Sequence, residues 1–151
     1  MFHVNRQTDY AIRALLALAR QPERKRLATS VIGAEMLIPK AFLTRIVAQL
    51  AQAGLVVTFP GRDGGLQLSR PAGEITLWDV VNTMEGPFML SECMTGEAAC
   101  PFEESCPVRS RWGRLQRVIM EELKRTTFAE LAVETDNMTG PVAVLPVKPK
   151  Y

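Results

Sequence analysis

Apolar residues recur along the first part of the chain with the period of a helix. Between residues 8 and 20, Tyr10, Ala14, Ala17 and Leu18 share a face, widened by Ile12, Leu15 and Leu16, so a well-buried helix is expected. The polar run Gln21-Pro22-Glu23-Arg24-Lys25-Arg26 breaks it. A short helix is expected over residues 29–37. Pro39 opens the next, because a missing N–H costs nothing at a first helical position. That helix is expected over residues 40–53, with Phe42, Leu43, Ile46, Val47 and Leu50 inward. Gly54 ends it, where a left-handed residue is wanted.

The period then changes to two. Residues 55–59, Leu-Val-Val-Thr-Phe, read as a strand, and 66–69 as its return, with the turn-rich Pro60-Gly61-Arg62-Asp63-Gly64-Gly65 between them. Thr76-Leu77-Trp78-Asp79 has the form of a capping box, so a helix is expected up to Glu85, stopped by Gly86. Residues 87–106 carry neither period. Pro107 restarts a helix on which Val108, Trp112, Leu115, Ile119 and Leu123 are spaced by 4, 3, 4 and 4. A short helix is expected over 127–133, and a flexible tail, rich in proline, from 135 to 151.

The order helix, short helix, turn, helix, hairpin has the shape of a winged helix-turn-helix DNA-binding module. The expected fold is therefore mainly α with a small β-hairpin wing, over residues 1–75. A cysteine-loop sensor and dimerisation helix follow over 76–134. Lys40, Thr44, Arg45 and Gln49 would point outward from the recognition helix, residue types suited to base edges and phosphates. Arg62 sits at the wing tip, beside Gly64, which lets backbone approach a phosphate. The competing reading is an ordinary helical domain with a solvated polar face.

Composition changes the picture in two places. The chain of 151 residues has 18 Lys+Arg and 16 Asp+Glu, a formal charge of +2, and 47% hydrophobic residues, which excludes a wholly disordered chain. Yet residues 1–75 hold ten basic and five acidic residues, and the remainder eight and eleven. A basic reading half is joined to an acidic half. The longest apolar run, Ala14 to Ala19, has six residues, far below the ~20 of a membrane helix. The start has no long apolar core of a secretory signal, so a cytoplasmic location and no membrane partner are expected.

The second place is cysteine. Cys93, Cys100 and Cys106 fall within 14 residues of one another. An odd, local set points to metal or redox chemistry rather than a disulfide framework. Thiolates bind zinc or iron–sulfur clusters, but three leave one ligand missing, and the spacing is unlike the short hooks of zinc ribbons. The stretch from Glu85 to Cys106 has five Glu and no Lys or Arg, which disfavours a peroxide-sensing thiol. Free loop thiols, structural zinc and a haem-thiolate at Cys100-Pro101 or Cys106-Pro107 stay open. The only histidine, His3, lies far off in sequence. The seam Val108–Trp112–Leu115–Ile119–Leu123 would either pack on the first helix or pair with a second copy, giving a homodimer with two recognition helices for a pseudo-palindromic operator.

These residues resemble the bacterial IscR/NsrR/RirA-type transcriptional regulators, cytosolic dimeric winged-helix repressors that sense through an iron–sulfur cluster. The resemblance rests on Thr8-Asp9-Tyr10-Ala11-Ile12-Arg13-Ala14-Leu15, on Leu50-x-x-Ala53-Gly54-Leu55-Val56 and on the wing Gly61-x-x-Gly64-Gly65. It continues through Ile75-Thr76-Leu77-Trp78-Asp79-Val80-Val81 and the three cysteines, covering about residues 3–134. It implies that Cys93, Cys100 and Cys106 are cluster ligands. The histidine that serves as fourth ligand in one branch is replaced here by Arg109. In another branch an aspartate at the start of the first helix, donated by the partner subunit, takes that role, and Asp9 matches it. Asp9 also has the plainer reading of a first-turn acid.

Such a ligand set leans toward 4Fe–4S, with 2Fe–2S open, and suits sensing of nitric oxide, redox state or iron supply. Pro60 stands where members often carry a basic residue before the wing, and Thr44 where one branch has an acidic residue. The reading reached is a DNA-binding repressor, not an enzyme, with no small-molecule substrate. Its alternatives are a cluster-free thiol- or zinc-dependent regulator and, from another class, a small redox enzyme or iron–sulfur carrier.

Overall fold

A computed structural model describes residues 4–94 and 100–137. The first helix, α1 (Arg6–Ala19), begins earlier than its apolar stripe, because Asn5 caps it. The Asn5 side chain accepts from the N–H groups of Gln7 and Thr8, satisfying donors that a helix start leaves over. Next come α2 (Thr29–Glu35) and α3 (Lys40–Gln52). The turn between them contains Leu37 at a positive φ of 52°, an uncommon conformation for a branched side chain, and this leucine is 79% exposed.

Strands β1 (Val56–Phe59) and β2 (Gly65–Leu68) form the antiparallel hairpin, in the register Val56 opposite Leu68 and Phe59 opposite Gly65. Leu27 adds a short third edge, exchanging two backbone hydrogen bonds with Leu66 (2.9 and 2.8 Å). The sequence pattern offers no hint of this edge. A 3-10 turn (Ala72–Glu74) leads to α4 (Leu77–Glu85), which opens with the expected capping box of Thr76 and Asp79. A second 3-10 turn (Glu92–Met94) precedes the long α5 (Pro107–Arg125). α6 (Phe128–Asn137) extends beyond the short helix expected and into the segment read as tail; the flexible tail expected from 138 onward lies outside the described residues.

Leu15, Ile32, Ile46, Leu50, Leu66, Ile75, Val80 and Phe128 are sealed from solvent in one cluster. That cluster runs past residue 75. The Phe128 N–H donates to Ile75 O (2.9 Å), and the Leu77 N–H to Thr126 O (3.0 Å), so the starts of α4 and α6 are stitched together. α4 and α6 therefore close the body around α1. Phe42, expected inward, is 38% exposed, and its ring meets Tyr10 edge to face at 5.5 Å. Among the described residues no helix is long and apolar enough to cross a membrane.

Candidate nucleic-acid interface and cysteine loop

The recognition surface begins with α3. Leu43, Ile46 and Leu50 anchor its inner face. This leaves Lys40, Thr44 and Arg45 exposed on the outer face. The Thr44 hydroxyl donates back to Lys40 O (3.1 Å), a local bond it would exchange for any contact to DNA. Gln49 corrects the sequence expectation. It is half-buried, and its Oε1 is shielded from water with no hydrogen-bond partner. The helical wheel sets Gln49 at the edge of the polar face, and the packing of α3 turns it inward.

At the wing, Arg62 is exposed at the tip. Gly61 turns with φ of 95°. Gly64 answers to a constraint inside the wing: an added Cβ would collide with the Phe59 carbonyl oxygen. The glycine that promised close approach to a phosphate is thus required first by the turn itself. Gly65, at φ of 146°, faces the same limit against the Leu27 carbonyl.

The cysteine loop departs from α4 at a fixed point. Glu85, the last residue of that helix, accepts from the backbone N–H and the side-chain amide of Asn5 (2.9 Å each), and the Thr8 hydroxyl donates to the same carboxylate. Thr8 is sealed from solvent, so this node needs its partner. It joins the start of α1 to the origin of the loop. No local sequence pattern reports it, because residues 5 and 85 are 80 positions apart. Leu90 is then held by Gln116 of α5, whose Oε1 accepts its N–H (3.1 Å). Met94 packs on Gly113, 3.3 Å from where a Cβ would stand.

Cys93, Cys100 and Cys106 are all unpaired thiols of intermediate burial. Cys93 lies in the 3-10 turn with its sulfur 3.1 Å from the Ser91 hydroxyl. Cys106 is the N-cap residue of α5, one turn before Arg109, which pairs with Glu103 (2.7 Å). Among the described residues no group of three His, Cys, Asp or Glu side chains is close enough to hold a metal ion. Asp9 is engaged elsewhere, in an ion pair with Arg13 (2.8 Å). Arg13 in turn lies 5.6 Å from the Tyr10 ring centre and donates to Met36 O at the end of α2 (3.4 Å). The donor set has the soft chemistry an iron–sulfur cluster needs, with no competing disulfide, but one protomer does not assemble it.

The α5 seam is equally incomplete. Val108 (50%), Trp112 (40%) and Leu115 (44%) are exposed, Ile119 and Leu123 are half-buried, and the helix has no buried residue. It leans on α4 and the cysteine-loop turn rather than on α1.

The sequence profile of the Rrf2 family, described as an iron-dependent transcriptional regulator, matches residues 4–134. Protein aau3 of Rhizobium meliloti (strain 1021) is 36% identical over 129 residues, covering 85% of this chain and 83% of that protein. Among solved structures, CymR (YrzC), the global cysteine regulator of B. subtilis, superposes with a TM-score of 0.77 at 26% identity, covering 90% of this chain and 100% of that one. IscR of T. potens shares the fold with a TM-score of 0.69 at 21% identity, over 93% of each chain.

Proposed function

The chain belongs to the Rrf2 family of transcriptional regulators, and from that premise we propose that it is a homodimeric repressor whose operator affinity is set by an iron–sulfur cluster on the cysteine loop. The observation that carries this reading is the placement of three free, half-buried thiols on the segment that joins the body to an uncovered apolar helix. Cys93, Cys100 and Cys106 would hold the cluster, with Asp9 of the partner subunit as the fourth donor. When bound, the cluster supplies a redox-active, nitric-oxide-reactive iron centre, in the 4Fe–4S form before 2Fe–2S.

The protein's own side chains supply the coupling. Glu85 ties the origin of the loop to the first turn of α1, where Asp9 stands. Any ligand that draws on the Asp9 carboxylate competes with Arg13. Arg13 also touches the end of α2, within the helix-turn-helix pair. A change at the loop thus has a short physical route to the spacing of two recognition helices, and a few kcal/mol of such coupling moves affinity by orders of magnitude. Lys40, Thr44 and Arg45 of α3 would face the major groove and Arg62 the backbone or minor groove. Gln49 would join them only after its amide turns outward.

Anaerobic purification with absorbance and iron and sulfide analysis tests the cluster. Iron and sulfide at stoichiometric levels, lost in Cys106→Ser, are the expected result; a colourless, iron-free protein after reconstitution would sink it. A second reading is a cluster-free thiol regulator. It is favoured by the free thiols and by the likeness to S. aureus CymR, crystallised in an oxidised form and 24% identical. It requires iron-free protein whose DNA affinity answers to peroxide and to reductant. In either case DNA binding should fall steeply with salt, because phosphate contacts release counterions.

A further inference from the structure

The wing is held from outside its own hairpin. Arg26, in the charged turn before α2, lays its guanidinium over the Phe59 ring, with Cζ 3.5 Å from the ring centre. The path between them crosses β2. Leu27 pairs antiparallel with Leu66, which sets Arg26 opposite Gln67, and Phe59 lies opposite Gly65, so the Arg26 side chain reaches Phe59 diagonally across β2. Gly65 lets the Leu27 strand approach where a Cβ would strike the Leu27 carbonyl. Phe59 is the last residue of β1 before the Pro60–Gly64 tip that carries Arg62.

We infer that Arg26 is a positioning residue for DNA binding: stacked on Phe59 across β2, it fixes the angle at which the wing tip presents Arg62. The inference rests on the reading of the wing as a DNA contact. A two-stranded hairpin is marginal by itself. Backbone pairing through Leu27 and a flat cation–aromatic stack are what join this one to the body on its outer face. A planar guanidinium suits that stack better than an ammonium does.

The test uses the full-length protein and double-stranded DNA selected by the wild type from a random pool. Arg26→Ala and Phe59→Leu should each weaken binding roughly three- to tenfold, the scale of one cation–π contact. Each should also speed hydrogen exchange at the amides of residues 61–65. Phe59→Trp, which keeps a ring, should retain affinity. In an Arg62→Ala background, Arg26→Ala should lose most of its effect on affinity, because its route to DNA has gone. If Arg26→Ala keeps its full effect in that background while Phe59→Leu binds normally, Arg26 is a direct phosphate contact and the inference falls. If Arg62→Ala alone leaves affinity unchanged, the wing contact itself is overturned, and that failure is distinct from the first.

Discussion

The winged-helix body and the arm made by the cysteine loop and α5 use apolar side chains in opposite ways. In the body, Leu15, Ile32, Ile46, Leu66 and Phe128 come from distant parts of the chain and are closed off from water in one cluster. On α5, Val108, Trp112, Leu115 and Val118 are 40–54% exposed over about three turns of helix. Burial of such side chains is worth roughly 1.5–3 kcal/mol each, so the body has collected that free energy and the arm has not. In the proposed homodimer the arm is half of an interface, and its apolar seam begins beside the N-cap cysteine, Cys106. An element whose packing a second copy would complete is well suited to be moved by what happens at its base.

The sharpest way to break this contrast is to cut one side chain from each region. Leu15→Ala should destabilise the body by about 2–5 kcal/mol, the range for a sealed leucine, lowering the thermal midpoint by several degrees or more. Leu115→Ala should leave the unfolding of a dilute, monomeric sample near that of the wild type. Comparable losses from both would show that α5 is as much core as α1 is.

The next effect concerns association. Trp112→Glu places a charge in the seam, and an aromatic anchor at an interface centre is worth about 2 kcal/mol or more, some thirtyfold in the dissociation constant. Sedimentation should then show monomers at concentrations where the wild type is dimeric, with unchanged helical circular dichroism. A dimer that survives Trp112→Glu intact would move the interface off this face.

Smaller again is the joint between the two regions. Glu85→Gln keeps the shape of the side chain but removes the charge that accepts from Asn5 and Thr8. Loss of charge-assisted hydrogen bonds at a half-buried site predicts a cost of about 1 kcal/mol. It should appear as faster exchange at the first-turn amides of α1 and as altered iron loading at the loop. Unchanged exchange there would mean that the node is not what joins the loop to α1.

How far the sequence foretold these features depends on the range of the interaction behind each. α3, the hairpin and the Thr76–Asp79 capping box rest on neighbours within a few residues, and they appear where the pattern places them. The seam on α5 was legible for the same reason. Asn5, Glu85 and the Leu27 edge were not, because each acts through a partner far along the chain that no period encodes. The Arg26–Phe59 stack joins residues 33 apart and shows in sequence only as a charge run and a strand end. Gln49 and Phe42 sit at the margins of the α3 stripe, where a few degrees of helix rotation decide between inside and outside. Asp9 was visible as a first-turn acid, while its pairing with Arg13 could be read from the i,i+4 spacing alone.

The smallest effect separates the arm from the body at the other end of α5. There the backbone N–H of Thr127 and then its hydroxyl donate to the Glu130 carboxylate (2.9 and 3.1 Å), and these bonds, with a lesser contribution from Arg125, hold its pKa below the ordinary carboxylate value. The Glu130 N–H returns a bond to the Thr127 hydroxyl (3.3 Å), completing a capping box at the start of α6. A carboxylate with a lowered pKa in the folded state stabilises fully above its unfolded value, and that contribution is lost as pH falls through the lowered one. The wild type and Glu130→Ala should therefore differ slightly at neutral pH in exchange at the first-turn amides of α6, and the difference should close as acid protonates Glu130. Because the carboxylate is open to solvent, added salt should shrink the Arg125 contribution but leave the two hydrogen bonds from Thr127. A difference that persists unchanged once Glu130 is protonated would show that the charge of the cap contributes nothing to holding the first turn of α6.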